Sequence, residues 1–152
     1  MRSKKHSRIH AGFTLVEVLT VLVVIIVLTA LAVPLWRTHL LRVHRSDARA
    51  ALIAAQDAQD KFFGIHARYA RGAEVAAAPP AGLGVQSRSA HGFYRIEVRS
   101  SGDGLDFIVF ARAESSPGQS IDSRCVEFSL DQNGRRLALD ADGKDRSADC
   151  WS

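Results

Sequence analysis

The chain has two cysteines, one methionine and two tryptophans in 152 residues, and its polar residues form no familiar catalytic constellation. There is no Gly-x-Ser-x-Gly elbow and no Cys–His arrangement, and Gly82-Leu83-Gly84 is too short to cradle a phosphate. Outside the first twelve residues the histidines, His39, His44, His66 and His91, are scattered, so they argue for no metal site. No enzyme, metal or cofactor is expected. The 117 residues after Leu35 can bury one modest core, so a multi-domain enzyme is not expected.

A surplus of acid is missing too. The formal charge is +4 and the pI about 9.5, values that ordinarily suggest an acidic partner such as nucleic acid. Met1 to Gly12 holds Arg2, Lys4, Lys5 and Arg8 and no acid, however, so without it sixteen bases face sixteen acids. Phe13 to Arg71 carries seven bases and four acids; Gly72 to Ser152 carries nine and twelve. The proximal half is +3 and the distal half −3.

What the chain does have is one long apolar run. From Phe13 to Leu35 the polar side chains are Thr14, Thr20, Thr29 and a lone carboxylate, Glu17. At about 1.5 Å per residue the run makes a helix of about 34 Å, enough to span a bilayer. A charge at mid-bilayer costs about 2.5 to 3.5 kcal/mol, less near the edge, so Glu17 calls for a partner. An ordinary secretory signal cut at Ala30-Leu31-Ala32 is the alternative, although the run exceeds the usual length of a signal core and the carboxylate opposes partitioning.

The residues Gly12-Phe13-Thr14-Leu15-Val16-Glu17-Val18-Leu19 resemble the processing signature of type IV pilins and pseudopilins. The resemblance implies cleavage by prepilin peptidase between Gly12 and Phe13, N-methylation of Phe13 and retention of the helix. It implies an assembly role for Glu17, whose carboxylate would neutralise the new amine of a neighbouring subunit, turning two costly charges into one contact. The leader's positive charges would hold it in the cytoplasm and send the C-terminus to the periplasm. The implied protein is a single-pass inner-membrane subunit that later joins an extracellular pilus. Its partners would be other pilin subunits, the peptidase and methylase, and the inner-membrane assembly machinery. Pro34 is expected to kink or locally unwind the helix.

Five segments follow: a leader, 1–12; a transmembrane and assembly helix, 13–35; an amphipathic helix, 36–71; a loop, 72–91; and a sheet with a C-terminal disulfide-bounded region, 92–152. Ala48, Ala51, Leu52, Ala55, Ala58, Phe62, Ile65 and Tyr69 keep helical spacing on one face. Arg37, Arg42, Arg45 and Arg49, with His39 and His44, crowd the start of this stretch, either against anionic lipid heads or acidic neighbours, or as a solvated face. Residues 72–89, rich in Ala, Gly, Pro and Ser, read as the loop.

Beyond it the period changes to two. Tyr94-Ile96-Val98, Leu105-Phe107-Val109 and Val126-Phe128-Leu130 mark three strands, and Leu137 to Leu139 a weaker fourth, joined through Asn133-Gly134. The apolar second strand suggests a central position. The expected fold is α+β: a long N-terminal helix packed on a four-stranded antiparallel sheet, as in pilins.

Cys125 and Cys150 are a candidate disulfide, worth about 3.5 kcal/mol for a loop of this size in the chain-entropy model. Two free thiols or a metal pair is the alternative. Together with the run Asp47 to Tyr69, the Cys150-Trp151 terminus resembles minor pilins of the PilE type, and a C-terminal bridge is seldom seen in pseudopilins of type II secretion. Asp140, Asp142 and Asp145 around Gly143 depart from an EF-hand loop and read as a solvated acidic turn. The expected function is a minor structural subunit of a type IV pilus, supporting biogenesis and twitching motility or adhesion. The alternatives are a DNA- or surface-binding minor pilin and a type II pseudopilin. A DNA-binding patch would draw on Arg95, Arg99 and Arg112, or on Arg135 and Arg136.

Overall fold

A computed structural model describes residues 14–114 and 122–152. Its elements are a helix α1 (Leu15–His66), a short 3-10 turn (Gly72–Val75), strands β1 (Tyr94–Ser100), β2 (Phe107–Ala113), β3 (Glu127–Asp131) and β4 (Arg136–Leu139), and a one-turn helix α2 (Ser147–Cys150). Met1–Thr38 and His39–Ser152 form two separate units.

In the first unit α1 begins at Thr14, whose Oγ1 accepts a hydrogen bond from the Glu17 N–H at 3.3 Å. This is an N-cap satisfying one of the helix's orphan donors, and an acid at the third helical position also suits the positive end of the helix dipole. Thr20 and Thr29 turn their hydroxyls onto carbonyls of the preceding turn, the Glu17 oxygen at 2.9 Å and the Ile25 oxygen at 2.8 Å. Their polar groups are thereby spent inside the helix. The leucines, valines and isoleucines from Leu15 to Val33 are exposed. Helical assignment continues through Pro34 without interruption, so the proline does not unwind α1 there.

In the second unit the four strands form an antiparallel meander in the order β1-β2-β3-β4, so the apolar β2 is central as expected. Register pairs Val98 with Val109, Val109 with Leu130, and Phe128 with Ala138. The buried face combines Tyr94, Ile96, Phe107, Val109, Ala111, Phe128, Leu130 and Ala138 with Ala48, Leu52 and Ala55 of α1. The predicted alternation sorts correctly because one face of each strand packs on the helix while the other meets solvent.

Two expectations about boundaries shift. The amphipathic helix ends at His66, short of Arg71, with Ala67 in the left-handed conformation at φ 54° just beyond it. Tyr69 leaves the helix and meets the Phe107 ring edge-on, with centroids 4.6 Å apart. The redirected chain is held by Gln59, which is fully buried: its Oε1 accepts from the Ala70 N–H at 2.8 Å and its Nε2 donates to the Ala70 carbonyl at 3.0 Å. The second strand starts at Phe107 instead of Leu105, because Ser101 to Asp106 form the turn. Gly82 sits so close to the Glu74 and Ala77 carbonyl oxygens that any side chain there would collide with both.

Both sheet edges are covered. Along β1 the Ile96 N–H bonds the Ser87 carbonyl and the Ser89 N–H bonds the Tyr94 carbonyl, each at 2.9 Å. Along β4 the Arg146 N–H bonds the Ala138 carbonyl at 2.8 Å, so neither edge offers a long open ladder.

Candidate functional site

Two features of the molecule are unusual for a self-contained domain. The first is the N-terminal segment of α1. It is long and apolar enough to cross a membrane, and none of that window is buried. Glu17 is its single carboxylate, exposed, with no ion pair among the described residues. Gly12 and Phe13, where cleavage and methylation are expected, lie outside the described residues. An exposed apolar helix with one unpaired charge can insert in lipid, and it can pack against like helices once a cation reaches the carboxylate.

The second is the distribution of arginines on the His39–Ser152 unit. On the sheet face turned away from α1, Arg88 and Arg95 both bind Glu114, at 2.8 and 2.9 Å. Arg99 and Arg112 bind Glu97 at 2.6 and 2.8 Å, and Arg112 also reaches Glu127 at 2.6 Å. Cross-strand register makes this possible, since Arg95 stands opposite Arg112 and Arg112 opposite Glu127. Arg99 and Arg112 also lie over the Phe110 ring, 5.1 and 5.0 Å from its centroid. Arg99, the first of its neighbours, holds the Glu97 carboxyl below its ordinary range. Arg95, Arg99 and Arg112 are thus brought together, but with Arg88 they form a lattice of four arginines largely offset by three glutamates. Arg135 and Arg136 lie in and just after the β3–β4 turn, with Arg136 over the Trp151 indole at 5.2 Å.

Along the other side of the domain, α1 meets the C-terminal tail. Cys125 and Cys150 are joined by a disulfide, which ties the tail to the start of β3. Trp151 packs edge-on against Phe128 and donates its indole N–H to the Leu137 carbonyl at 3.1 Å. Arg45 grips Asp122 with two hydrogen bonds, 2.8 and 3.1 Å, where the Asp122 side chain is 1% exposed. This pairing raises the Arg45 guanidinium pKa. Arg49 donates to the Ser152 carbonyl oxygen at 2.5 Å, and Arg124 pairs with the exposed Asp149 at 3.0 Å. Of the basic run at the start of the amphipathic stretch, Arg45 and Arg49 therefore serve the tail. His44 is buried against Phe93, their rings 3.9 Å apart.

Sequence inspection missed Arg45–Asp122 and the inclusion of Arg124. The spacing of Arg42, Arg45 and Arg49 on one helix face was the available signal; their partners lie 77 and 103 residues away. In the acidic turn, the Asp140 carboxylate accepts N–H groups from Asp142 and Lys144 and binds Arg146, chiefly the Lys144 bond lowering its pKa. Among the described residues no group of three or more His, Cys, Asp and Glu could hold a metal ion.

A family model described as "Type IV minor pilin ComP, DNA uptake sequence receptor" matches residues 34–129. Among solved structures, the "High-Resolution Structure of a Type IV Pilin from Shewanella oneidensis" is similar at 20% identity, covering 74% of this chain and 98% of that chain with a TM-score of 0.49. No curated protein matches. The family match covers well over half of the chain, from Pro34 through most of β3, and the chain belongs to the ComP family of type IV minor pilins.

Proposed function

We propose that this chain is a minor structural subunit of a type IV pilus, cut by prepilin peptidase between Gly12 and Phe13, methylated at Phe13 and drawn into the filament through Glu17. The observation that carries this is the exposed apolar helix with its single unpaired carboxylate, on a chain of a minor pilin family. Before assembly the subunit spans the bacterial inner membrane with its C-terminus in the periplasm; afterwards it is part of the extracellular pilus. It contributes to biogenesis and to twitching motility or adhesion, with no catalytic role. Pro34 serves as the bend point of the helix.

A second reading is a receptor for DNA on the filament. The description of the family favours it, as does the arginine-rich edge between α1 and the tail. Against a type II pseudopilin stands the Cys125–Cys150 bridge; loss of twitching in a deletion strain, with exoprotein secretion intact, separates the two. Intact-mass analysis of the protein purified from membranes tests the main reading. A chain beginning at methylated Phe13 supports it; one beginning at Val33 would mark a cleaved secretory signal and overturn it.

A further inference from the structure

Asp47 is 7% exposed, and its Oδ2 has no hydrogen-bond partner among the described residues. Its Oδ1 is held from the outside by the His91 ring, Nδ1 lying 3.0 Å away. Asp47 lines one end of a trough along α1, made of adjoining concavities of about 510 and 310 Å³ that share Ala54, Ala58 and Leu83. Arg88 lies on the same rim but is bound to Glu114 at 2.8 Å. The α1 wall is low, with Ala50, Ala54 and Ala58 at intervals of four residues, and it continues to Ile65, about 27 Å along the helix from Asp47. On the facing wall the amides are spent: the Leu83, Gly84 and Val85 N–H groups bond the Glu74, Ala77 and Val75 carbonyls at 2.9, 2.8 and 3.0 Å.

We propose that this trough docks a helix of another pilus subunit, laid along α1 so that a lysine or arginine near one of its ends reaches Asp47 Oδ2. The inference rests on the pilus-subunit reading. Charge selects the basic side chain, because a buried carboxylate oxygen without a donor is costly and a cationic N–H group relieves it. Its methylene stem would lie on the alanines while the charged head enters at Asp47. Length and relief select a helix over a small molecule: the trough runs about 27 Å, and small side chains on its floor let two helix axes come close. An added strand would need open backbone groups at the facing wall and finds those amides taken, whereas a helix satisfies its own.

The test uses the full chain in zwitterionic micelles and a labelled, soluble alanine–glutamine helix with one lysine in its first turn, its affinity read by fluorescence anisotropy. Wild type should bind it about tenfold more tightly than the same helix with glutamine in place of the lysine, the worth of one charge-assisted hydrogen bond. Asp47→Asn, which keeps the shape of the side chain, should erase that difference. Ala54→Phe, which fills the trough from an exposed position, should weaken binding of both helices. Asp149→Asn, outside the trough, should change neither, and near-UV circular dichroism of Trp151 checks that each variant is folded. Equal binding of the two helices by wild type, no binding at all, or a lysine preference that survives Asp47→Asn overturns the docking site and leaves the pilus-subunit reading standing. n-Butylammonium that competes as well as the lysine helix at equal concentration assigns the trough to free amines and overturns the proposal. A mature chain beginning at Val33 removes the pilus-subunit reading, and the docking of a neighbouring subunit with it, whatever the helix binding.

Discussion

The two units of the chain treat charge in opposite ways. In the helical segment up to Thr38, Glu17 stands without an ion pair among exposed leucines, valines and isoleucines. In His39–Ser152 the buried Asp122 has Arg45, the outer-face glutamates have arginines on neighbouring strands, and buried Gln59 satisfies the backbone of Ala70. The second unit meets most of its buried polar groups within itself, His44 Nδ1 and Asp47 Oδ2 being buried without a hydrogen-bond partner. Completion of the first requires another molecule, lipid for the apolar side chains and a cation for the carboxylate.

The sharpest way to break the self-sufficiency of the distal unit is Arg45→Ala. Leaving the Asp122 carboxylate buried without its partner should cost about 3 to 5 kcal/mol, read as a drop in the thermal midpoint of the full chain in micelles. Arg124→Ala, which breaks the exposed pair with Asp149, should cost less than about 1 kcal/mol in the same assay. Opening the Cys125–Cys150 bridge with reductant comes next, with about 3.5 kcal/mol lost. Neither change should alter insertion of the apolar segment, and loss of membrane association would show that the two units are not independent.

The smallest expected effect is a pH dependence. Arg68, through two hydrogen bonds of 2.8 and 2.6 Å, and then the Arg71 N–H push the Glu74 carboxyl down to about 2. A pKa depressed by folding stabilises the native state above the unfolded value, about 4.3, and that share is lost as pH falls toward about 2. Glu74→Gln should therefore lower the thermal midpoint relative to wild type at neutral pH, with the gap closing between about pH 4 and pH 2. A gap that persists at pH 2 would show that the ion pair is not its source.

Much of this was legible in the chain. Alternation at Tyr94-Ile96-Val98 and Val126-Phe128-Leu130, the apolar second strand and Asn133-Gly134 specify a meander because each is local and follows the pleat. The cysteine pair was legible too, as one of two possibilities. Long-range pairing was not. Nothing near Arg95, Arg99 or Arg112 shows that strand register places Glu97, Glu114 and Glu127 among them, so a patch that looked basic is a lattice in which three glutamates offset most of the charge of four arginines. The helix end at His66 was missed because the residue in the left-handed conformation is Ala67, held by buried Gln59 acting eleven residues ahead, where glycine was the expected signal. The likeness to minor pilins of the PilE type rested on short stretches, and the family matched is that of ComP.

We infer that Glu17 waits for a charge on another subunit. Its direct test is Glu17→Ala in cells that make pili, comparing the amount of subunit in the inner membrane with the amount in sheared filaments. Normal insertion and processing are expected, with incorporation into filaments strongly reduced. Incorporation of the variant at the wild-type level would contradict it.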